Sequence, residues 1–173
     1  MYRCTPIIVM VVFTSLIFPL PATTSDDMVG FWKSTDAKQG FTTSVIAVYS
    51  YGESLYGRVV VSYDERTGEL LETMYHPLQR VEKLASKPKL LAIDIFWNMK
   101  SNNGKWHGGK VLDPRSGHVY ACECWVHNGL LVLRGKIGPF GMNSIFYPVV
   151  DSDFPTGFVR PELTGLVPSI PQI

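Results

Sequence analysis

The chain has 173 residues, 46% of them hydrophobic and 18% charged, with a formal net charge of +1. This composition excludes a disordered chain and is that of one domain able to build a real core. The near-neutral balance leaves no strong field to draw the protein to nucleic acid or an anionic surface.

Arg3 precedes an apolar run from Pro6 to Leu20, and small, breaker-rich residues follow at Pro21-Ala22-Thr23-Thr24-Ser25. That three-part pattern reads as a secretory signal peptide over residues 1–25, cleaved between Ala22 and Ser25. The run is short for a permanent span, which needs about 20 residues, and no basic stop-transfer cluster follows it. An exported protein of the periplasm, envelope or cell exterior is therefore expected, with no transmembrane anchor after cleavage. Losing Arg3 takes the formal charge from +1 to 0, and losing Cys4 leaves two cysteines, Cys122 and Cys124. Two residues apart on one strand, they are poorly placed to bridge each other.

The mature sequence opens with a short strand at Met28–Lys33 that holds a Gly30-x-Trp32 element. Thr43–Ser50 is β-branched and aromatic, a second strand. Leu55–Tyr63 alternates apolar and polar residues, which predicts a strand buried on one face. Glu69–Pro88 is irregular, and Leu78, Val81, Leu84 and Ala85 after Pro77 have the spacing of one short helix. Leu90–Lys100 returns to strand, and Asn103-Gly104 turns it into Trp106–Leu112. Asp113–Gly117 is the next turn, and Asn128-Gly129 is a strong hairpin signal because a type I′ turn needs positive φ at both central residues. That turn sets a register: His127 faces Leu130, Trp125 faces Val132, Cys124 faces Leu133, and Glu123 faces Arg134. Tyr120, Cys122, Cys124, Val126, Leu131, Leu133 and Ile137 then share an apolar face, with Glu123, Trp125, Arg134 and Lys136 on the other. From Val149 onward Pro155, Pro161, Pro168 and Pro171 punctuate an extended tail, residues 151–173, draped over the body.

Eight to ten short antiparallel strands in sequential hairpins predict an all-β, up-and-down barrel over residues 26–150, since closure removes exposed edges. The ordered motifs Gly30-x-Trp32, Trp106-x-Gly108-Gly109-x-Val111-x-Asp113-Pro114, Gly117-x-x-Tyr120, Arg134-Gly135-x-Ile137-Gly138 and Phe140-Gly141 resemble an exported bacterial family, domain of unknown function 2147. The resemblance runs from about Gly30 to Tyr147 and implies a lipocalin-like barrel in a bacterial envelope, with no activity attached. The chain departs from that family in the Glu69–Pro88 segment, the Pro-rich tail and the Phe146-Tyr147 end. Similarity to lipocalins further implies that Trp32 packs beneath Arg134 to close one barrel end, a structural role.

Barrels of this size are either filled or enclose one small-molecule cavity. The expected function is binding of a small apolar or amphipathic ligand, with Phe96, Tyr120, Cys122, Cys124 and Leu133 as wall residues. The alternative is an envelope scaffold with a solid core, whose tail and Glu69–Pro88 segment bind a protein partner. No cofactor, metal or catalytic residue is expected. His118, Cys122 and Cys124 share a strand face but lack the spacing of metal ligands. Cys124 with His76 or His107 rests on residue types alone. The cross-strand carboxylates Asp94 and Asp113 read as solvated groups or turn caps, and the glycines from Gly104 to Gly109 lack a following helix to receive phosphate.

Overall fold

The computed structural model describes residues 27–173, so the expected signal peptide lies outside the described residues. Among the described residues nine antiparallel strands form: β1 Gly30–Thr35, β2 Thr42–Tyr51, β3 Ser54–Tyr63, β4 Leu70–Thr73, β5 Asp94–Asn102, β6 Lys105–Leu112, β7 Val119–His127, β8 Leu130–Ile137 and β9 Phe140–Pro148. Eight of them close a barrel in the order β1-β2-β3-β5-β6-β7-β8-β9, with β9 returning to β1, while β4 hangs on the upper end of β3. The up-and-down barrel expected from sequence is the one observed.

The hairpins follow from local chemistry. Asn103 (φ 51°) with Gly104 (φ 75°), and Asn128 (φ 51°) with Gly129 (φ 74°), supply the paired positive φ values of type I′ turns. The β7–β8 register is the expected one, with His127 opposite Leu130 and Glu123 opposite Arg134. These turns, with the Tyr51–Ser54 turn, lie at one end, here called the bottom. The Asp113–Gly117 and Gly138-Pro139 turns lie at the top.

The interior holds Met28, Trp32, Ile46, Val48, Leu55, Val59, Phe96, Met99, Trp106, Cys122, Cys124, Leu131, Leu133 and Phe146, all buried. Packing here is dense. A Cβ at Gly57 would overlap the Phe96 ring, and one at Gly109 would overlap the Met99 sulfur. Both glycines are there because a large neighbour fills their place.

A second core lies on the outside of β2, β3 and β5. Tyr49, Tyr56, Val60, Val61 and Trp97 pack there under Val81, Leu84, Ile93, Phe154 and Leu166. The tail packs here as part of the core and is not an appendage, with Phe154 and Leu166 buried in it. For this reason β3 is buried on both faces from Ser54 to Val61, where the alternation of its sequence predicted one.

The short helix expected after Pro77 does not form. Among the described residues the only helical turns are of the 3₁₀ type, at Leu90–Ala92, Asp151–Asp153 and Leu163–Gly165 apart from the start at Asp27. The buried carboxylate of Glu72 accepts the N–H groups of Leu78 and Gln79, and Arg80 bridges to Lys89. What excludes the helix lies further on: the Val81 N–H goes to the Pro88 carbonyl and the Gln79 carbonyl takes the Leu90 N–H, so neither group is left for helical bonding. Leu78 is left 67% exposed, while Val81 and Leu84 are buried. Leu90–Ala92, read as the start of a strand, is one of the 3₁₀ turns, and β5 begins at Asp94.

Candidate ligand site at the barrel mouth

Pairing across β6, β7, β8 and β9 stacks the inward residues in layers. The lowest joins Val126, Leu131 and Phe146; above it are Trp106, Cys124, Leu133 and Ser144, then Gly109, Cys122, Gly135 and Met142. At the top Val111 faces Tyr120, and Ile137 faces Phe140. In the two lowest layers Trp106, Cys124, Leu131, Leu133 and Phe146 are buried, while Ser144 on β9 is exposed. Met28 plugs the bottom, its carbonyl accepting the Trp32 indole N–H at 2.9 Å and its sulfur 3.9 Å from the Cys124 thiol.

The top differs. Ile137, Phe140 and Met142 occupy inward positions yet are 65%, 78% and 80% exposed. Tyr120 and Val111 beside them are half-buried. A Cβ at Gly135 would meet only Val111 and Tyr120 at ordinary contact distances, so the wall is not crowded there. These residues form an apolar lip, open to solvent above a filled shaft.

Of the five wall residues expected from sequence, Phe96, Cys122, Cys124 and Leu133 lie inside the packed shaft. Tyr120 lies at the lip, its hydroxyl 3.4 Å from His118 Nδ1. The lip residues Phe140 and Met142 were missed. Their alternation with Gly141 and Asn143 gives their facing, but exposure depends on how the barrel closes. Both thiols are free. Burial pushes Cys122 up to about 12, aided by the Glu123 charge, and pushes Cys124 up still further. Thiols held protonated in this way are poor nucleophiles.

Trp32 does not pack beneath Arg134. The register that pairs Arg134 with Glu123 points it outward, where its guanidinium lies against Gly141 and 3.8 Å from the Glu123 carboxylate. Trp32 points inward, so the sheet separates the two. Lys136 also pairs with Glu123.

Asp94 and Asp113 are not a carboxylate pair. Asp113 caps its turn, accepting from the Arg115 N–H at 3.0 Å and the Ser116 hydroxyl at 2.6 Å. Its pKa is lowered, chiefly by Ser116. Asp94, expected to be solvated, is fully buried under the tail. It accepts from Arg58 Nε at 3.1 Å, Tyr49 Oη at 2.8 Å and the Ser169 N–H at 2.6 Å. Burial raises its pKa against the pull of Arg58. Arg58 also donates to the Val167 carbonyl at 2.8 Å. This cluster fastens the tail and faces away from the lumen.

His76 lines a cleft of about 560 Å³ between β4 and the tail, with Tyr75, Phe158 and Val159. It lies outside the barrel, away from Cys124. His107 Nε2 is buried without a hydrogen-bond partner. Among the described residues no three His, Cys, Asp or Glu side chains gather as metal ligands would, and no helix is long and apolar enough to cross a membrane.

The eight-stranded up-and-down barrel has a lipocalin-like fold. A solved structure similar to it, protein HP1028 from Helicobacter pylori, is described as belonging to the lipocalin family. The likeness has a TM-score of 0.55 at 10% identity and covers 73% of this chain and 85% of that one. Residues 30–147 match the family described as uncharacterized protein conserved in bacteria (DUF2147), and the chain belongs to that family. No curated protein matches it.

Proposed function

We propose that this is an exported, non-catalytic binding protein that seats a small apolar or amphipathic molecule on the lip of its barrel. The carrying observation is the exposure of Ile137, Phe140 and Met142 on the same strand faces as Leu131, Leu133 and Phe146, which are buried lower in the shaft. Inward side chains left in water form a contiguous apolar surface of the kind that marks a ligand or partner site. Tyr120 adds one hydroxyl for a polar head group. Export is supported by the three-part N-terminal pattern of the sequence.

The test is titration of the processed protein with cis-parinaric acid, a fluorescent long-chain acid. Saturable binding at one site is expected, weakened at least about tenfold, or roughly 1.4 kcal/mol, by Met142→Glu. Because Met142 is 80% exposed, that variant should keep its melting temperature. Binding that survives both Met142→Glu and Phe140→Ser rejects the site.

The packed shaft supports a second reading, an envelope scaffold whose barrel is solid. Native mass spectrometry of protein taken from its own envelope without detergent separates the two. Added mass that leaves on gentle activation supports a bound molecule, whereas bare polypeptide, unchanged by added lipid, favours the scaffold.

A further inference from the structure

Closure of the barrel is incomplete between its first and last strands. β1 pairs with β9 at two positions only, Trp32 with Pro148 and Lys33 with Tyr147, although β9 continues upward to Phe140. The two-residue Gly138-Pro139 turn makes Ile137 and Phe140 a hydrogen-bonded pair. By alternation Phe140, Met142, Ser144 and Phe146 spend their backbone N–H and C=O groups on β8. Gly141, Asn143, Ile145 and Tyr147 aim theirs at the β1 side. Tyr147 meets Lys33 there; Gly141, Asn143 and Ile145 meet no strand. Three residues thus present six backbone groups along a free edge.

Soluble proteins guard such edges with charge, proline or a covering loop. Among the described residues none of those guards lies along its free part. From Ile137 to Val150 the sequence IGPFGMNSIFYPVV carries no charged residue, and the prolines flank the free part rather than interrupt it. Phe140, Met142 and Ile145 are exposed along it.

We propose that a second copy of this chain pairs antiparallel along the free edge of β9, about a two-fold axis through Asn143. That axis sets Asn143 opposite Asn143 of the partner subunit and Gly141 opposite Ile145 of the partner subunit. Because Asn143 is an edge-facing residue, it forms a hydrogen-bonded pair with its own mate, and all six groups of each copy find partners. No other centre on this edge does so: moving the axis by one residue presents groups that already bond β8. The neutral strand also brings no charge against its like. Self-complementarity in hydrogen bonds and in charge thus selects a second copy over an unrelated strand.

The inference stands apart from ligand binding. Asn143 faces outward with Arg134 and Glu123, whereas the lip residues face inward. The test is sedimentation velocity of the protein as processed by its own cell, at concentrations up to the order of 100 µM, with Asn143→Lys and Asn143→Asp variants. The wild type is expected to sediment as a dimer. Each variant alone places like charges across the axis and should weaken association at least about tenfold, while an equimolar mixture restores it. Asn143 is exposed, so both variants should melt with the wild type. A wild type that stays monomeric throughout overturns the proposal, as does Asn143→Lys dimerising undiminished or a mixture no better than its components. Parinaric acid binding by monomeric Asn143→Lys would leave the ligand reading intact.

Discussion

Asp94 is where burial and pairing pull hardest against each other. The carboxylate is shielded from water and held by Arg58, Tyr49 and the Ser169 amide. Losing one partner of such a cluster costs more than losing both, because the survivor stays buried and unpaired. Asp94→Ala is therefore expected to destabilise the fold by roughly 3–5 kcal/mol. The double variant Asp94→Leu with Arg58→Met should cost much less than the sum of its singles in urea unfolding. Asp153 carries a pH dependence of definite sign. Burial alone would raise its pKa, but Lys33 at 2.8 Å, the Val150 N–H and the Thr42 hydroxyl together lower it below its usual 3.8. The folded state then binds that proton less tightly than the unfolded one. The resulting stability is complete above the usual carboxylate value and is lost as pH falls through the folded one. Acid unfolding curves should accordingly be shallower for Asp153→Asn than for the wild type. The two thiols should resist alkylation in the native protein and react fully once it is unfolded, read as added mass.

At the scale of elements, the tail carries more of the fold than its composition suggests. Phe154 stacks on Phe158 at 5.6 Å and meets Phe31 edge-on, with Arg160 over its face. Leu166 closes over the outer surface of β2 and β3. Truncation after Val150 would expose Tyr49, Tyr56, Val60 and Trp97 to water and leave Asp94 and Arg58 without Ser169 and Val167. The truncated chain is expected to melt far lower or fail to fold, measured by circular dichroism. A truncate as stable as the full chain would contradict the second core. Proline suits the tail because its backbone bonds no ladder; its few anchors are side chains and the Ser169–Asp94 contact. Apolar spacing in Glu69–Pro88 reads as helical because Val81 and Leu84 do face a core, but a single turn, from the Leu84 N–H to the Val81 carbonyl, brings them there.

For the whole molecule, a filled shaft and an open lip make opposite demands on substitution. Cys124→Trp overpacks the shaft beside Met28 and Trp106 and should cost roughly 1–3 kcal/mol or more. A similar melting temperature would mean that space exists where the structure packs side chains. The open seam gives the molecule a free edge that a fully hydrogen-bonded barrel would lack, which couples its closure to its association.

Local sequence set the strands of the barrel, though not β4, together with the type I′ turns, the β7–β8 register and the inward placing of Cys122, Cys124 and Leu133. All of these follow from contacts between chain neighbours, where turn chemistry and two-residue alternation leave little choice. Tertiary structure alone decided which faces would receive a second cover, that Arg58, Asp94 and Ser169 would meet across 36 and 75 residues, and that β1 would leave β9 above Lys33. Those outcomes depend on how separate elements share a limited surface, and alternation gives a side chain its facing without saying what will lie against it.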